Sequence, residues 1–560
     1  MTRIVDKRRA RHDPTALLGR REWLGRLGAS AALPLLPGEA FAQPRGQTRP
    51  PAPVAHRTRS QTALRLRAQA ASVSAARRPA ATTNGDEHRY PVLIGSYSKG
   101  LPHGPTGDVQ KAAFDALVKA AVSGKPEDFD AIPTPGDVKL VNPLAAFAFV
   151  LEGADPHALS LPPPPRFDSP ALAADACELY WLALARDVPF DTYATDAVVA
   201  SACRELGSLS DHAGPRIGGE VAPACLFRGT TSGDLVGPYV SQYLLKEVPY
   251  GAIRLVPHVR TATPGLDYLV TWDDWLAVQN GAATVSRHAG TYRYIRSLRD
   301  LTAFVQLDFT YQAFLTACLV LFGMEGTTDV RRPYKGAPFD SAIPYRVSRT
   351  QSGFSTLGVA HALDLVARVA NLALQHAWFH KWAVHRYLRP EEYSGRVHRR
   401  ITAKADYPVH DSLLESSALK VTFDRHKSYL LPQAYPEGCP LHPSYPSGHA
   451  TIAGACATVL KAFFDESFPI EEPVVPRADG LSLTPYLGPM LTVGGELDKL
   501  ASNVALARSA AGIHWRSDNV AGLRLGEAIA LDLLREMRAC LPERFDGFAL
   551  TTFDGRGMTV

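Results

Sequence analysis

Lys381 and Arg389, the tetrapeptide Pro446-Ser447-Gly448-His449, and Arg508 with His514 lie far apart in the chain, yet together they gather the groups needed to hold an oxyanion. They supply three cations, a hydroxyl, a glycine amide and two imidazoles. Cationic and backbone donors of this kind make short, strong hydrogen bonds to anionic oxygens. A tetrahedral or trigonal-bipyramidal oxyanion such as phosphate or vanadate wants the whole mixture.

Each group needs an element to place it. Pro446-Ser447-Gly448-His449 stands directly before the apolar run Ala450 to Phe464, which predicts a helix starting at the tetrapeptide. Free N–H groups and the positive end of the helix dipole converge there. Ser447 adds a hydroxyl, and Gly448 lets the backbone come close. The plainer alternative is a Ser-Gly helix cap. Lys381 and Arg389 close a second predicted helix, Ser355 to Tyr387, with Pro390 as its stop. On an ideal helix they stand roughly 12 Å apart and about 80° around the axis. They meet one ligand only through their long side chains, or if the helix unwinds near Arg389. A solvated basic helix end is the alternative there. His376 and His380 mimic a metal pair at i, i+4, but no third ligand accompanies them at matching spacing, so they are assigned to packing. Arg508 and His514 would face different sides of a continuous helix. Gly512 predicts a helix end that lets His514 turn back. Asp518 is placed to orient the His514 ring or to cap the next helix.

The chain has 560 residues, 46% of them hydrophobic and 21% charged, the balance of a globular protein. Its net charge of +5 misleads. Residues 1–80 hold 16 Lys and Arg against 4 acidic residues, whereas the remainder holds 44 against 51. The folded body is therefore acidic, and nucleic-acid binding is not expected. Gly19-Arg20-Arg21-Glu22-Trp23-Leu24-Gly25, the apolar stretch Leu27 to Pro37 and Ala40-Phe41-Ala42 look like a twin-arginine export leader with its cleavage site. The apolar stretch is too short to span a bilayer. A basic tail on a cytoplasmic protein is the competing reading. The expected organisation is a leader over 1–42, a disordered basic linker over 43–83 and one helical domain over 84–560, exported to the periplasm or beyond. Apolar residues at helical spacing mark Ala112–Val122, Ala171–Ala185, Tyr239–Leu245, Leu298–Leu321, Gly494–Ala511 and Ala521–Cys540, with Ile253–Val256 and Val259 suggesting a small hairpin. The class is mainly α, built as helical bundles. Of seven cysteines, Cys177, Cys318, Cys456 and Cys540 lie in apolar helical patterns, and Cys203, Cys225 and Cys439 are disulfide candidates in an oxidising compartment.

The order Lys-x7-Arg-Pro, Pro-Ser-Gly-His, Arg-x5-His resembles the vanadium-dependent haloperoxidases of the type-2 phosphatidic acid phosphatase superfamily. The seven-residue gap between Lys381 and Arg389 is similar to that of algal and cyanobacterial bromoperoxidases. Asn84-Gly85-Asp86-Glu87, Ser98-Lys99-Gly100-Leu101-Pro102-His103, Arg186-Asp187-Val188-Pro189-Phe190, Phe227-Arg228-Gly229, Tyr311-Gln312-Ala313-Phe314-Leu315 and Gly512-Ile513-His514-Trp515-Arg516-Ser517-Asp518 look like the same branch. The resemblance covers about 84–545 and implies a core of two four-helix bundles. It also implies vanadate bonded by His514 as the direct vanadium ligand. Lys381, Arg389, Arg508, Ser447 and the Gly448 amide would hold the oxygens. It gives His449 the acid–base role, Lys381 a part in polarising peroxide, and Asp308 the orientation of His449. His442 stands where bromide-oxidising members carry His, which implies bromide or iodide. The implied partners are hydrogen peroxide, halide and small organic acceptors, in a homo-oligomer with no membrane span. An exported acid phosphatase with a phosphohistidine at His514 is the alternative, because vanadate mimics phosphate.

Overall fold

The computed structural model describes residues 56–323 and 338–560. The expected leader, 1–42, lies outside the described residues. The chain divides into two units, 1–62 and 63–560. Of the first, only the opening of helix α1 (His56–Ala76) is described. This helix departs from the unstructured linker expected over 43–83. Its Ala, Arg, Gln and Leu content gives it high intrinsic helix propensity, although it lacks an apolar face.

The mainly α class is as the periodicity predicts. The longer helices are α2 (Lys111–Ser123), α3 (Pro170–Leu184), α4 (Ala197–Ser208), α5 (Trp272–Gln279), α6 (Leu298–Leu307), α7 (Gln312–Gly323), α8 (Val359–Trp378), α9 (Pro390–Thr402), α10 (Ser417–His426), α11 (Gly448–Phe463), α12 (Val493–Ala510) and α13 (Arg516–Cys540). At the centre, α11 is buried along nearly its whole length. It packs most extensively on α13, then on α8 and α12. Its Ala, Gly, Thr and Val residues are apolar or small on every face, as suits a helix surrounded by others. The α11–α13 approach is close because glycine leaves room. A Cβ on Gly526 would stand 2.1 Å from the Thr451 carbonyl oxygen, and one on Gly454 2.2 Å from that of Leu523.

Strands occur only as short antiparallel pairs among the described residues. β1 (Val248–Tyr250) pairs with β2 (Ile253–Leu255), β3 (Val259–Ala262) with β4 (His288–Arg293), β5 (Val474–Pro476) with β6 (Leu483–Pro485), and β7 (Ala549–Thr551) with β8 (Gly557–Thr559). The suggested hairpin is thus split: Ile253–Leu255 pairs backwards, and Val259 begins a separate ribbon. No single helix among the described residues is long and apolar enough to cross a membrane.

Four local expectations are corrected. Leu298–Leu321 is two helices bent by 100°, because the chain turns extended at Asp308. Ser355–Tyr387 ends as an α-helix at Trp378 and continues as a π-turn, Phe379–His385. Tyr239–Leu245 holds only a short 3-10 turn, Gln242–Leu244, whose neighbours are spent on capping and loop contacts. All seven cysteines are free, Cys203, Cys225 and Cys439 included. The Cys439 thiol donates weakly to the Gly512 and Ile513 carbonyls, at 3.6 and 3.7 Å. Cys540 is exposed because it is the last residue of α13, beyond the buried stripe.

Candidate oxyanion site

The π-turn resolves the distance problem between Lys381 and Arg389. After His385 the chain enters the left-handed region at Arg386 (φ 41°, ψ 42°), and Arg389 becomes the N-cap of α9. Pro390 therefore opens a helix, at N1 where its missing N–H costs nothing, as well as following one. Both cations now grip one segment. Lys381 Nζ donates to the carbonyls of Pro443 (2.8 Å) and Ser444 (2.6 Å). Arg389 Nε donates to the His442 carbonyl at 2.9 Å, and its Nη1 to that of Ile513 at 3.0 Å.

Ser447 caps α11, its hydroxyl accepting from the Ala450 amide at 3.4 Å. The cap and the anion-pocket reading therefore coexist, because the Gly448 and His449 amides have no partner among the described residues. The Ser447 amide is itself fixed, donating to the Asp518 carbonyl at 3.0 Å. His449, one residue into α11, is the site's most open histidine, with its side chain 24% exposed. Its Nε2 stands 3.2 Å from Asp308 Oδ1. The α6–α7 bend delivers that carboxylate, which a continuous helix would have carried elsewhere.

Gly512 (φ 85°) ends α12 as its spacing predicts, and the loop returns His514 towards Arg389. A residue with a side chain is strained at that φ. Ser509 Oγ holds the His514 carbonyl at 2.8 Å. The His514 ring lies between two partners: Nδ1 is 2.8 Å from Asp518 Oδ2, and Nε2 is 3.0 Å from Arg389 Nη1. Asp518 Oδ2 also accepts from the Ser444 hydroxyl (2.5 Å) and the Trp515 amide (3.1 Å). One oxygen facing three donors behaves as a carboxylate, so His514 carries its proton on Nδ1 and a lone pair on Nε2. Asp518 thus both orients the ring and closes the first turn of α13.

The electrostatics follow from burial. Lys381, Arg389 and Arg508 are all buried, and none forms an ion pair among the described residues. Arg508 donates Nη1 to the Val305 carbonyl, while its Nε is buried without a partner. Burial, and then Arg389, push the Lys381 ammonium well below its ordinary range. Burial, Arg389, Lys381 and Arg508 hold His514 far below the usual imidazole range, and the ring is neutral. His442 is held down likewise by burial and Arg389. Its Nδ1 accepts from Arg389 Nη2 at 2.9 Å, and its ring lies 4.8 Å from that of Trp378. Burial and Arg508 lower His449, against the pull of its bond to Asp308. Burial pushes Asp518 above the ordinary carboxylate range, opposed by Ser444, Lys381 and Arg389. Desolvated cations without counter-charges cost free energy unless an anion joins them. The donor set, the free Arg508 Nε and the His514 lone pair fit an oxyanion whose central atom accepts a nitrogen ligand.

Of the candidate site residues, Lys381, Arg389, His442, Ser447 and His514 are joined through the contacts above, and Arg508 acts electrostatically on both His514 and His449; Gly448 and His449 follow Ser447 at the start of α11. Ser444 was missed. Its only sequence signal is its position three residues before Ser447, which carries no chemistry of its own. Glu392, whose carboxylate accepts from the Arg389 amide at 2.7 Å, was missed as a cap for the same reason.

Fold and site together define a helical protein in which buried, unpaired cationic side chains surround a neutral histidine, with a histidine–carboxylate pair at their edge. A family model described as the VCPO second helical-bundle domain matches residues 363–542, which contain all three motifs. The vanadium-dependent bromoperoxidase of Ascophyllum nodosum is 37% identical over 471 residues, covering 79% of this chain and 82% of that protein. That of Corallina officinalis is 34% identical over 568 residues, covering 85% and 92%. The solved structure of a homohexameric second vanadate-dependent bromoperoxidase from Ascophyllum nodosum has a TM-score of 0.84 at 30% identity, over 96% of this chain and 97% of that one. The chain belongs to the vanadium-dependent haloperoxidase family. Nothing in these relationships favours the phosphatase alternative.

Proposed function

We propose that this enzyme is a vanadate-dependent bromide peroxidase, using hydrogen peroxide to oxidise bromide or iodide to hypohalous acid, which halogenates organic acceptors. The observation that carries this reading is the His514 Nε2 lone pair set near three buried cations that form no ion pair among the described residues. Bound vanadate supplies Lewis-acid activation of peroxide without redox side chains. The chain's own residues do the rest. His514 is the nitrogen ligand, held in the required tautomer by Asp518. Lys381, Arg389 and Arg508 balance the charge of the oxygens, with Ser447 and the Gly448 amide as further donors. His449, at the open edge, takes a proton from incoming peroxide, and Asp308 fixes its ring for that transfer. Lys381, whose ammonium is held over this segment by the Pro443 and Ser444 carbonyls, would place its charge beside the group's oxygens. His442, tilted at 39° against Trp378 and bonded to Arg389, lies beside the cations and supports the bromide and iodide assignment.

The catalytic body spans 84–560. The twin-arginine-like leader supports export to the periplasm or beyond, and a hexameric relative supports a homo-oligomer. Purified protein reconstituted with orthovanadate should brominate a phenol dye in the presence of peroxide and bromide. Phosphate release from a chromogenic ester with no bromination would reverse the assignment. Light scattering should give a mass that is a multiple of the 60.6 kDa chain, less any leader removed.

A further inference from the structure

The turn between Lys381 and Arg389 depends on a pair of residues outside the anion pocket. Arg386 occupies the left-handed region, where its Cβ crowds the backbone. Such a residue persists only where its surroundings hold it. Its guanidinium folds back on the π-turn, Nη1 donating to the carbonyls of Trp382 (3.2 Å) and Ala383 (3.3 Å). Its Nε and Nη2 both donate to Glu87, each at 2.8 Å. The two side chains are only 12% and 15% exposed, so water competes weakly with this two-pronged bond. The backbone is pinned on both sides, Arg386 N to Lys381 O at 3.0 Å and Tyr97 N to Arg386 O at 2.8 Å. Glu87 is anchored in turn, because the neighbouring Asp86 accepts from Asn84 Nδ2 (2.9 Å) and the Phe167 amide (2.8 Å). The segment Asn84-Gly85-Asp86-Glu87 thereby reaches the turn between Lys381 and Arg389 from almost three hundred residues away.

We propose that Glu87, acting through Arg386, is a positioning residue that sets the register between Lys381 and Arg389 and so tunes the affinity for the oxyanion. The inference rests on the reading that those two cations hold the anion. Its sign is diagnostic. Through space, removing the Glu87 charge leaves the pocket more positive and strengthens anion binding. Through position, it slackens the turn and weakens binding.

The test is calorimetric titration of orthovanadate into wild-type protein, Glu87→Gln, Arg386→Gln and the double variant, with inorganic phosphate as a competing probe. The expected result is a vanadate Kd raised about tenfold in either single variant, the usual scale for loss of an outer-sphere partner. Stoichiometry stays full, and the double variant is no worse than the singles. A merely structural lesion would lower the stoichiometry and leave Kd unchanged, which would overturn the proposal. An unchanged or tighter Kd in Glu87→Gln would also overturn it, provided the wild type binds. Should Glu87→Gln fail to fold, Glu87→Asp decides: weaker binding at full stoichiometry supports the proposal, and wild-type binding refutes it. If the wild type itself binds no vanadate, the reading of the site fails, not this inference alone.

Discussion

At the residue scale, two of the three site histidines, His514 and His449, are set up for different work by their carboxylate partners. His514 is neutral and buried, its Nδ1 committed to Asp518. His449 is partly open and paired with Asp308. His514→Ala should therefore weaken vanadate binding to that of phosphate, followed by titration, and abolish bromination. His449→Ala should bind vanadate close to normally while losing turnover; an unaltered rate would remove its proton role. The Asp308 contact raises the affinity of His449 for a proton against burial and Arg508. Asp308→Asn removes a charge that favours imidazolium, so the His449 limb of the pH–rate profile should move to lower pH. A limb that stays in place, or shifts upward, would show that Asp308 does not control this ring.

At the element scale, sequence pattern worked where function sits at helix ends and failed where a helix changes type. Ser447 before an apolar run, and Gly512 after one, are punctuation with a mechanism, and both ends formed as expected. The π-turn at Phe379–His385 was illegible, because apolar spacing runs on through it and only tertiary partners such as Glu87 reveal the break. The Asp308 bend was hidden in the same way inside an apolar window. That same π-turn carries two histidines outside the proposed mechanism. His380 and His385 lie with ring centroids 6.0 Å apart, their rings buried and their ring nitrogens without a well-formed hydrogen bond among the described residues, which agrees with the packing role expected for His380. Burial, with His385 and His376, lowers His380 from 6.5 to about 3. Since the folded value is depressed, the unfolded chain binds more protons between these limits. The stabilising contribution is complete above the unfolded value and is lost as pH falls towards the folded one. His380→Leu should flatten the fall in urea midpoint between pH 6.5 and about 3. An undiminished slope would assign the acid sensitivity elsewhere.

At the scale of the whole molecule, the proposed pocket draws on α6, the π-turn, α9, α11, α12 and α13, so an anion bound there would bridge most of the central bundle. Without it, the buried cations repel one another, and the fold carries that cost. An anion that binds only the assembled site must stabilise the native state by mass action. The gain is about 2.7 kcal/mol at a ligand concentration of one hundred times Kd. Orthovanadate should therefore raise the melting temperature in proportion to the logarithm of its concentration, as scanning calorimetry would record. Phosphate is a similar tetrahedral oxyanion, but its central atom does not take a stable bond from His514. It should give a smaller rise, and His514→Ala should reduce the vanadate response to that of phosphate. Equal responses to both anions in the wild type would mean that the cations alone hold the ligand and that His514 forms no bond to it. A vanadate response that survives His514→Ala undiminished would carry the same meaning.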